Sequence, residues 1–334
     1  MLLMTASDEA ELENWRKHFG NCQLSAKKMR PQSKMEDVLP RLPNIMSLLI
    51  RTRLKAGGWL GPMCLSGEEI TEILSASKMA RREVMVLLLD VASAMAHVTG
   101  DGNHIGAILE AESGAMYVGA PVAWQGKGVK FSAHGVQTAL MNAWHQDETK
   151  FRTLMVETPP CACCRQFLRE TWDWGSIKIE CAEDGPHSLK TGAIKEIEFD
   201  QKGLKIGGPK GRLMGEGKRG INIGKSDANE LINKAAEAAA MSYAPYSKNF
   251  AGLALRTKRG SLHQGRYAEC SASIAGVMAI ESALINVVLS NESIADITDI
   301  VLIEMRGTVT QFSPTQKLAQ ALGGIPFRFL MAGG

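Results

Sequence analysis

Apolar and polar positions alternate along the chain in a way that predicts short strands and helices. Between residues 66 and 171, apolar residues recur every three or four positions in some segments and form short continuous runs in others. The first pattern predicts helices that bury one face, and the second predicts buried strands. The predicted elements are two helices within 68–97, strands at 106–111, 116–119 and 153–157, and helices at 133–145 and 161–171. This order predicts an α/β fold, a three-layer α/β/α sandwich.

Two serines mark predicted helix starts in an N-terminal helical segment. Ser66 precedes the first helix within 68–97, and Ser77 precedes the second. A serine side chain accepts a hydrogen bond from the free backbone N–H groups of a first turn, so both residues are predicted N-caps. The two helices are expected to cover one face of the sheet.

A repeat of glycines predicts that the sandwich is duplicated. Three glycines in the first strand, turn and strand recur 146 residues later with the same spacing. Each set is followed by an alanine-rich segment that predicts a helix. The matched glycines are Gly106, Gly114 and Gly119 in the first copy and Gly252, Gly260 and Gly265 in the second.

Changes in composition suggest the boundaries of these units. The segment 202–220 is rich in glycine and lysine, which is typical of a linker. We predict an N-terminal extension at 1–38, a helical segment at 39–98, a first copy at 99–190, a linker at 191–225 and a degenerate second copy at 226–334.

Residues 158–168 carry the strongest chemical signal in the chain. Cys161 and Cys164 lie three positions apart, directly after Pro159 and Pro160. Because proline is favoured in the first positions of a helix, the two thiols are expected one turn apart on one helix face. The N-terminus of a helix favours the thiolate, which is the form that binds metal.

A histidine 27 residues upstream completes a predicted zinc site. His134 stands near the start of the predicted helix at 133–145. One histidine and two cysteines provide three ligands and leave the fourth tetrahedral position of zinc open, as in catalytic sites. The second copy has no Cys-x-x-Cys pair and no histidine at the matching helix. It is therefore predicted to have a structural role.

These motifs together resemble those of the zinc-dependent deaminases of nucleosides and nucleobases. Proteins of that class carry His-x-Glu followed by Pro-Cys-x-x-Cys, with the glutamate as general acid and base. The chain is most similar to the longer, two-domain cytidine deaminases, from about Leu39 to its C-terminus. The segments that carry the resemblance are LSGEEI at 65–70, GAI at 106–108, PCACCRQFL at 160–168 and SYAPYSK at 242–248.

The resemblance implies a cofactor, a ligand class and an assembly. It implies one Zn²⁺ per chain, held by His134, Cys161 and Cys164. It also implies a small nucleoside or related heterocycle as ligand, and a homodimer in which the partner chain closes each active site. Tyr246 and the segment 327–330 are expected near that interface.

The chain departs from the family pattern at the residues that would read and transform cytidine. Val136 occupies the position of the glutamate, and valine has no titratable group. Pro121 and Ala123 replace the asparagine and glutamate that bind ribose, and His104 stands where the family usually has asparagine. Glu269, the second copy's counterpart of Ala123, is predicted to make a structural hydrogen bond. Since general acid–base catalysis contributes roughly 10²–10⁴ in rate, we expect deamination of cytidine and deoxycytidine to be impaired or absent.

Two hypotheses about function follow from this pattern. The first is a zinc-containing pseudoenzyme that binds a ligand or partner, or serves as a structural subunit. The second is an active zinc hydrolase that deaminates cytidine or a different amino-heterocycle with another proton shuttle. Glu157, which stands close before the cysteine motif, is a candidate for that shuttle, but most glutamates in such places are solvated.

The cysteines also allow a closed, structural zinc site. Cys181 and His187 would complete a four-ligand set with Cys161 and Cys164. Cys163 lies on a different side of the predicted helix and is expected to be a packed thiol rather than a ligand.

Composition and charge exclude several classes of function. The chain has 334 residues, of which 45% are hydrophobic, so it can bury a core and is long enough for two domains. A net charge of +3 gives no indication of nucleic acid or of an anionic membrane as a partner. The longest apolar run, 84–98, is too short to span a membrane and contains Asp90.

Cysteine usage and the first residues predict a cytoplasmic location. Seven cysteines, three of them within four positions, do not indicate a disulfide framework. The four N-terminal residues MLLM are followed by four acidic residues within 8–13, whereas a signal peptide would continue with an apolar core.

Overall fold

The computed structural model describes residues 32–98, 104–123, 132–171, 176–182, 213, 218–222 and 229–333. Residues from Gln32 onward form one compact unit. Most of the predicted extension and linker, and the predicted boundaries at 98/99, 190/191 and 225/226, lie outside the described residues or at their limits. The boundaries therefore stay predictions. In the described ranges, no helix is long and apolar enough to cross a membrane.

The segment before the first sheet is helical. It contains α1 (Met35–Val38), α2 (Asn44–Ala56), α3 (Gly67–Ser77) and α4 (Arg81–Ala94), with 3₁₀ turns at Leu39–Arg41 and Gly57–Leu60. The hydroxyl of Ser66 accepts the backbone N–H of Glu69 at 3.2 Å, and the Glu69 carboxylate accepts the N–H of Ser66 at 2.7 Å. This reciprocal pair caps α3 and confirms Ser66 as its N-cap.

The predicted N-cap at Ser77 is wrong. Ser77 is the last residue of α3, and its hydroxyl donates to the carbonyl of Ile73 at 2.7 Å. Lys78 then adopts a left-handed backbone conformation with φ 59°, which ends the helix. Helix α4 follows Ala80, whose N–H donates to the carboxylate of Glu83 at 2.7 Å. Glu83, in the first turn of α4, therefore caps this helix in place of the predicted Ser77.

The first copy is built on a mixed sheet. Its elements are β1 (Cys64–Leu65), β2 (Ala107–Ala111), β3 (Met116–Gly119), β4 (Val122–Ala123), β5 (Ser132–Ala133), α5 (Gly135–His145), β6 (Phe151–Val156), α6 (Ala162–Leu168) and β7 (Lys178–Cys181). The described strands pair in the order β1-β3-β2-β6-β7, with only β6 and β7 parallel, while β4 and β5 pair separately.

The second copy repeats this order. Its elements are α7 (Glu230–Ala240), β8 (Ala251–Thr257), β9 (Leu262–Arg266), α8 (Ala279–Leu289), β10 (Ile297–Met305), α9 (Phe312–Ala321) and β11 (Phe327–Ala332), with 3₁₀ turns at Ser273–Ala275 and Ile294–Asp296. The described strands pair as β9-β8-β10-β11, and β10 and β11 are parallel. This arrangement matches β3-β2-β6-β7 of the first copy.

The strand registers confirm the duplication at the level of single residues. Leu109 pairs with Tyr117 in the first hairpin, and Leu255 pairs with His263 in the second, at the same offset of 146 residues. The parallel bridges that follow the hairpins, His97 with Val122 and Tyr243 with Ala268, also differ by this offset.

The repeated glycines allow helices to approach both faces of each sheet. A Cβ on Gly106 would overlap Ala92 of α4, whereas one on Gly119 would overlap the carbonyl of Gly135 in α5. Because Ala107 pairs with Gly119, and neighbouring residues point to opposite faces, the two helices lie on opposite sides of the sheet. The described structure is therefore a three-layer sandwich, as predicted.

The second copy uses its glycines in the same way. Gly252 lies against α7 and Gly265 against α8, where an added Cβ would overlap the backbone of Ala239 and the carbonyl of Ala279. The third pair, Gly114 and Gly260, has φ of 85° and 83° in the hairpin turns, a conformation that favours glycine. All three pairs thus reflect local steric requirements.

The two copies pack against each other through helices α5 and α8. The Nε2 atom of His145 lies 2.8 Å from the hydroxyl oxygen of Ser282. The guanidinium of Arg266 donates to the carbonyl of Trp144 at 2.6 Å and lies 5.5 Å from the centre of its ring. These side chains are buried or nearly so, so the two copies share one core.

We predict that Gly119→Ala and Gly265→Ala each lower the free energy of unfolding by about 1–3 kcal/mol or more, because backbone on both sides must move to admit the methyl group. Gly220→Ala is the control, since a Cβ there meets nothing within 4 Å, and it should change the free energy by less than about 0.5 kcal/mol. Denaturant unfolding of the three variants measures this. Equal effects at all three positions would contradict the packing argument.

Candidate metal centre

Three donor side chains meet where helices α5 and α6 begin. His134 is the N-cap of α5 and Cys161 the N-cap of α6, both with extended backbone, and Cys164 lies in the first turn of α6. The predicted helices therefore start later than expected, at Gly135 and Ala162. Cys161 precedes its helix instead of lying within it, yet its side chain still reaches the other two.

The distances between the donor atoms fit a tetrahedral zinc ion. His134 Nδ1 lies 3.2 Å from Cys161 Sγ and 3.4 Å from Cys164 Sγ, and the two sulfur atoms are 3.5 Å apart. Zinc bonds of about 2.3 Å to sulfur and about 2.0 Å to nitrogen place tetrahedral ligands roughly 3.5–3.8 Å apart. An ion would need only small outward movements of the three side chains, so this set could hold zinc.

The two candidate thiols are shifted in opposite directions. The hydrogen bond between their sulfur atoms lowers the pKa of Cys161 to about 3 and raises that of Cys164 well above its usual value. The hydrogen bond with Cys161 also raises the pKa of His134. Thiolate is the form that binds metal, so these opposite shifts favour Cys161 as the first thiolate, and metal binding would require Cys164 to lose its proton.

One side of the centre is open to solvent. His134 and Cys161 are exposed, whereas Cys164 is only 3% exposed. A structural zinc site is closed by four protein ligands, while an open site leaves a position for water or substrate. Among the described residues, the arrangement is that of an open site.

The other candidate thiols lie outside this group. Cys163 is half-buried, and burial raises its pKa. Cys181 lies on β7, where it pairs with Val156, and it does not belong to the described cluster. His187, the fourth member of the alternative closed site, lies outside the described residues. None of the six described cysteines forms a disulfide.

The position of the family's glutamate is apolar. Val136 is 6% exposed and lies in the first turn of α5, two residues after His134. Glu157, the candidate substitute for that glutamate, follows β6 and is half-buried. Its carboxyl group does not belong to the cluster of three donors. His104, half-buried before β2, has a buried Nδ1 without a hydrogen-bond partner among the described residues.

The degenerate ribose positions keep the backbone geometry of the fold. Pro121 accepts the N–H of His97 at 2.9 Å, and Ala123 donates its N–H to the carbonyl of His97 at 2.7 Å. Glu269 makes the bond equivalent to that of Ala123, with the carbonyl of Tyr243 at 2.8 Å. The two copies therefore share this backbone pairing, whatever side chains stand at Pro121 and Ala123.

The carboxylate of Glu269 is fully engaged within the second copy. It accepts the backbone N–H groups of Tyr246 at 2.8 Å and Ser247 at 3.0 Å. Glu269 is only 7% exposed. The predicted structural hydrogen bond at this residue is confirmed.

Two glutamines beside the candidate ligands were missed by sequence reasoning. Gln137 accepts the backbone N–H of His134 at 3.0 Å and donates to the carbonyl of Ala275 at 2.8 Å. Gln166 of α6 donates to the hydroxyl of Ser271 at 2.7 Å. The spacing of Gln137 from His134 is that of a capping pair and could have indicated the first contact. Nothing local indicates the contacts to the second copy.

Comparison with known proteins supports these assignments. A family model described as the cytidine and deoxycytidylate deaminase zinc-binding region matches residues 79–175, and a second model with that description matches 199–316. A cytidine deaminase of Shewanella baltica is 30% identical over 268 residues, which cover 80% of this chain and 88% of the relative.

Two other relatives match over nearly their whole length. A cytidine deaminase of Vibrio parahaemolyticus is 30% identical over 301 residues, and one of Photobacterium profundum is 28% identical over 302 residues. Each alignment covers 90% of this chain and 99% of the relative. The chain therefore belongs to the cytidine deaminase family, with two deaminase-type zinc-binding domains of which the first carries the histidine and cysteine donors.

Proposed function

We propose that this chain retains the fold and the zinc of its family but deaminates cytidine and deoxycytidine poorly or not at all. The observation that carries the proposal is the buried, apolar Val136 in the turn that follows His134. Its role would be to bind a ligand or partner, or to act as a structural subunit. The fold alone does not decide this, because one fold supports active and inactive members.

His134, Cys161 and Cys164 are the proposed zinc ligands. Zinc held by three protein ligands supplies a Lewis acid that activates water for attack on C4 of cytosine. The protein must still accept a proton from the water and deliver protons to ring N3 and to the departing amine. Val136 can do neither, so the proposed loss is at least the roughly 10²–10⁴ in rate that general acid–base catalysis contributes.

Substrate binding is proposed to be weakened independently. Pro121 and Ala123 offer no side-chain hydrogen bond to a ribose hydroxyl at the positions where the family has asparagine and glutamate. A hydroxyl that loses water without finding a protein partner costs about 1–3 kcal/mol. Recognition and chemistry are thus proposed to be lost at separate residues of the same site.

The second candidate function is an active zinc hydrolase on another amino-heterocycle. The complete, open donor set with exposed His134 and Cys161 favours it, because a structural metal does not need an open side. The substrate itself, or a group such as His104 or Glu157, would then have to move protons. Release of ammonia from an aminopyrimidine by zinc-loaded protein would support this candidate over the first.

We predict that Cys161→Ala reduces bound zinc from about one ion per chain to near zero, while the neighbouring Cys163→Ala leaves it unchanged. Metal analysis of both purified variants measures this. A third variant, Cys181→Ala, separates the two kinds of site. Loss of zinc in Cys181→Ala would contradict the open site and support the closed one.

We also predict that zinc-loaded wild-type protein converts cytidine to uridine at least about 10²-fold more slowly than the Vibrio parahaemolyticus relative under the same conditions. The reason is that no carboxylate stands at position 136. Conversion followed at high protein concentration measures this. Turnover comparable to that of the relative, and lost in Cys161→Ala, would show that another group replaces the glutamate.

The variant Val136→Glu should on its own recover little cytidine turnover, because the ribose contacts are still missing. Adding Pro121→Asn and Ala123→Glu should increase kcat/KM further. Full activity in the single variant would contradict the proposed damage to the ribose site.

We propose a homodimer and a cytoplasmic location on the basis of family resemblance, with no role for nucleic acid or membrane. Tyr246 is 37% exposed, and Met331 on β11 is 52% exposed, so apolar surface is available near the expected interface. Light scattering should give about twice the chain mass of 36.2 kDa. A mass of one chain at all concentrations would overturn the proposed dimer.

A further inference from the structure

We infer that the 271–276 loop of the second copy is a positioning element for the metal centre of the first copy. It contacts the ligand-bearing helices through Gln137 and Gln166, which are the proposed positioning residues. The inference rests on the proposed ligand set. It assigns the second copy, which lacks zinc ligands of its own, a role in metal binding.

Gln137 connects a ligand directly to this loop. Its side chain is 4% exposed and uses both of its polar atoms. The oxygen accepts the N–H of His134 at 3.0 Å, and the nitrogen donates to the carbonyl of Ala275 at 2.8 Å, 138 residues away in sequence. The backbone of the candidate histidine ligand is therefore tied to the second copy by one buried amide.

Gln166 makes the corresponding connection from the cysteine helix. It lies two residues after Cys164, and its amide donates to the hydroxyl of Ser271 at 2.7 Å. Glu170, one helical turn further, accepts the backbone N–H of Ser271 at 2.8 Å. Residues four apart in a helix lie on the same face, so α6 and its continuation hold Ser271 at two points.

An internal hydrogen bond and a buried residue restrain the loop at the point where it meets Gln137. Its 3₁₀ turn is closed by a hydrogen bond from Ala275 N–H to the Ala272 carbonyl at 2.8 Å, and Ala275 is fully buried. Glu170 also accepts hydrogen bonds from the hydroxyls of Tyr243 and Tyr246, both at 2.9 Å. The residue that holds Ser271 is thus also bonded to other parts of the second copy.

These contacts determine the separation of the ligands. His134 moves with the N-terminus of α5, and Cys161 and Cys164 move with that of α6. One loop holds both helices at Ser271 and Ala275, four residues apart. Because zinc bond lengths tolerate deviations of only about 0.2 Å, a loosened loop should weaken zinc binding without unfolding the protein.

The expected change in zinc affinity can be estimated from other metal sites. Partners that orient a metal ligand without touching the metal typically change metal affinity by about 10–100-fold when mutated. If Gln137 and Gln166 only cap or pack their helices, their loss should reduce thermal stability and leave the zinc affinity of the folded protein intact. Zinc affinity is therefore the measurement that separates positioning from structural support.

The test compares two Ser→Ala variants of the full chain. Ser271→Ala removes the acceptor of Gln166 from a residue outside the ligand-bearing helices. Ser261→Ala is the matched control, since its hydroxyl donates to Glu292 at 2.7 Å in the turn between β8 and β9. The zinc dissociation constant is measured by competition with a chromophoric chelator, and the melting temperature of each zinc-free protein is measured alongside.

We expect Ser271→Ala, Gln166→Ala and Gln137→Ala each to weaken zinc binding by about 10-fold or more, with Ser261→Ala unchanged. Ser271→Thr, which keeps the hydroxyl, should restore binding. The double variant Gln166→Ala/Ser271→Ala should bind zinc no more weakly than either single variant, because each single substitution already removes the same hydrogen bond. The absorption of bound Co²⁺ should also change in the weakened variants, since it reports the ligand geometry.

The outcomes distinguish this inference from the proposal on which it rests. If wild-type protein binds zinc and the three variants bind it equally well, the positioning role is overturned while the ligand set stands. If wild-type protein binds no zinc, the ligand set is overturned and the positioning role with it. Equal weakening in Ser261→Ala would show a general loss of stability and would likewise overturn the positioning role.

Discussion

The close approach of helix α5 to the first sheet is the constraint on which the candidate centre depends. A Cβ on Gly119 would overlap the carbonyl of Gly135, and a Cβ on Gly135 would lie 2.7 Å from the carbonyl of Ile105. The backbone at the start of α5 therefore contacts the backbone of β3 at Gly119 and the backbone shortly before β2 at Ile105. His134 precedes this contact by one residue, so the packing that forms the sandwich also places the histidine opposite the cysteines of α6.

The second copy meets the same constraint without a metal. Gly265 admits helix α8 as Gly119 admits α5, and side chains accept N–H groups at both helix starts, as Gln137 does for His134. Gln311 accepts the N–H of Ala279 at 2.9 Å, and Glu281 accepts the N–H of Met278 at 2.8 Å. The N-terminus of a helix at this place in the fold thus requires hydrogen-bond acceptors for its N–H groups, and it does not require a metal ion. This explains how the duplicated fold persists in a copy without zinc ligands.

Features that depend on local sterics could be predicted from the sequence. The glycine spacing indicated the strand-turn-strand segments and the duplication, because each glycine meets a steric requirement of its immediate surroundings. Ser66 was predicted for the same reason. The predicted cap at Ser77 is wrong, because its hydroxyl has a competing acceptor in the preceding turn and the next residue, Lys78, ends the helix.

Features that depend on contacts between the copies could not be predicted. The partners of Gln137 and Gln166 lie 138 and 105 residues away, and no periodicity or spacing relates them. The zinc donors are an intermediate case. A separation of 27 residues in sequence does not indicate that the side chains lie close together. The resemblance to a family predicted that they share a site, and the structure places the donor atoms of His134 and Cys161 close to each other.

The proposed loss of a glutamate beside a donor set that could hold zinc has a physical explanation. Metal ligands contribute to the stability of the folded state whenever metal is bound, whereas a proton-transferring glutamate contributes chiefly to a transition state. Val136 is nearly buried, and a carboxylate there would require hydrogen-bonding partners or water to offset its desolvation. Under the proposed function, valine in its place would remove catalytic chemistry without that desolvation cost. If deamination is no longer selected, stability alone would favour valine at position 136 and, with zinc bound, would still favour His134, Cys161 and Cys164.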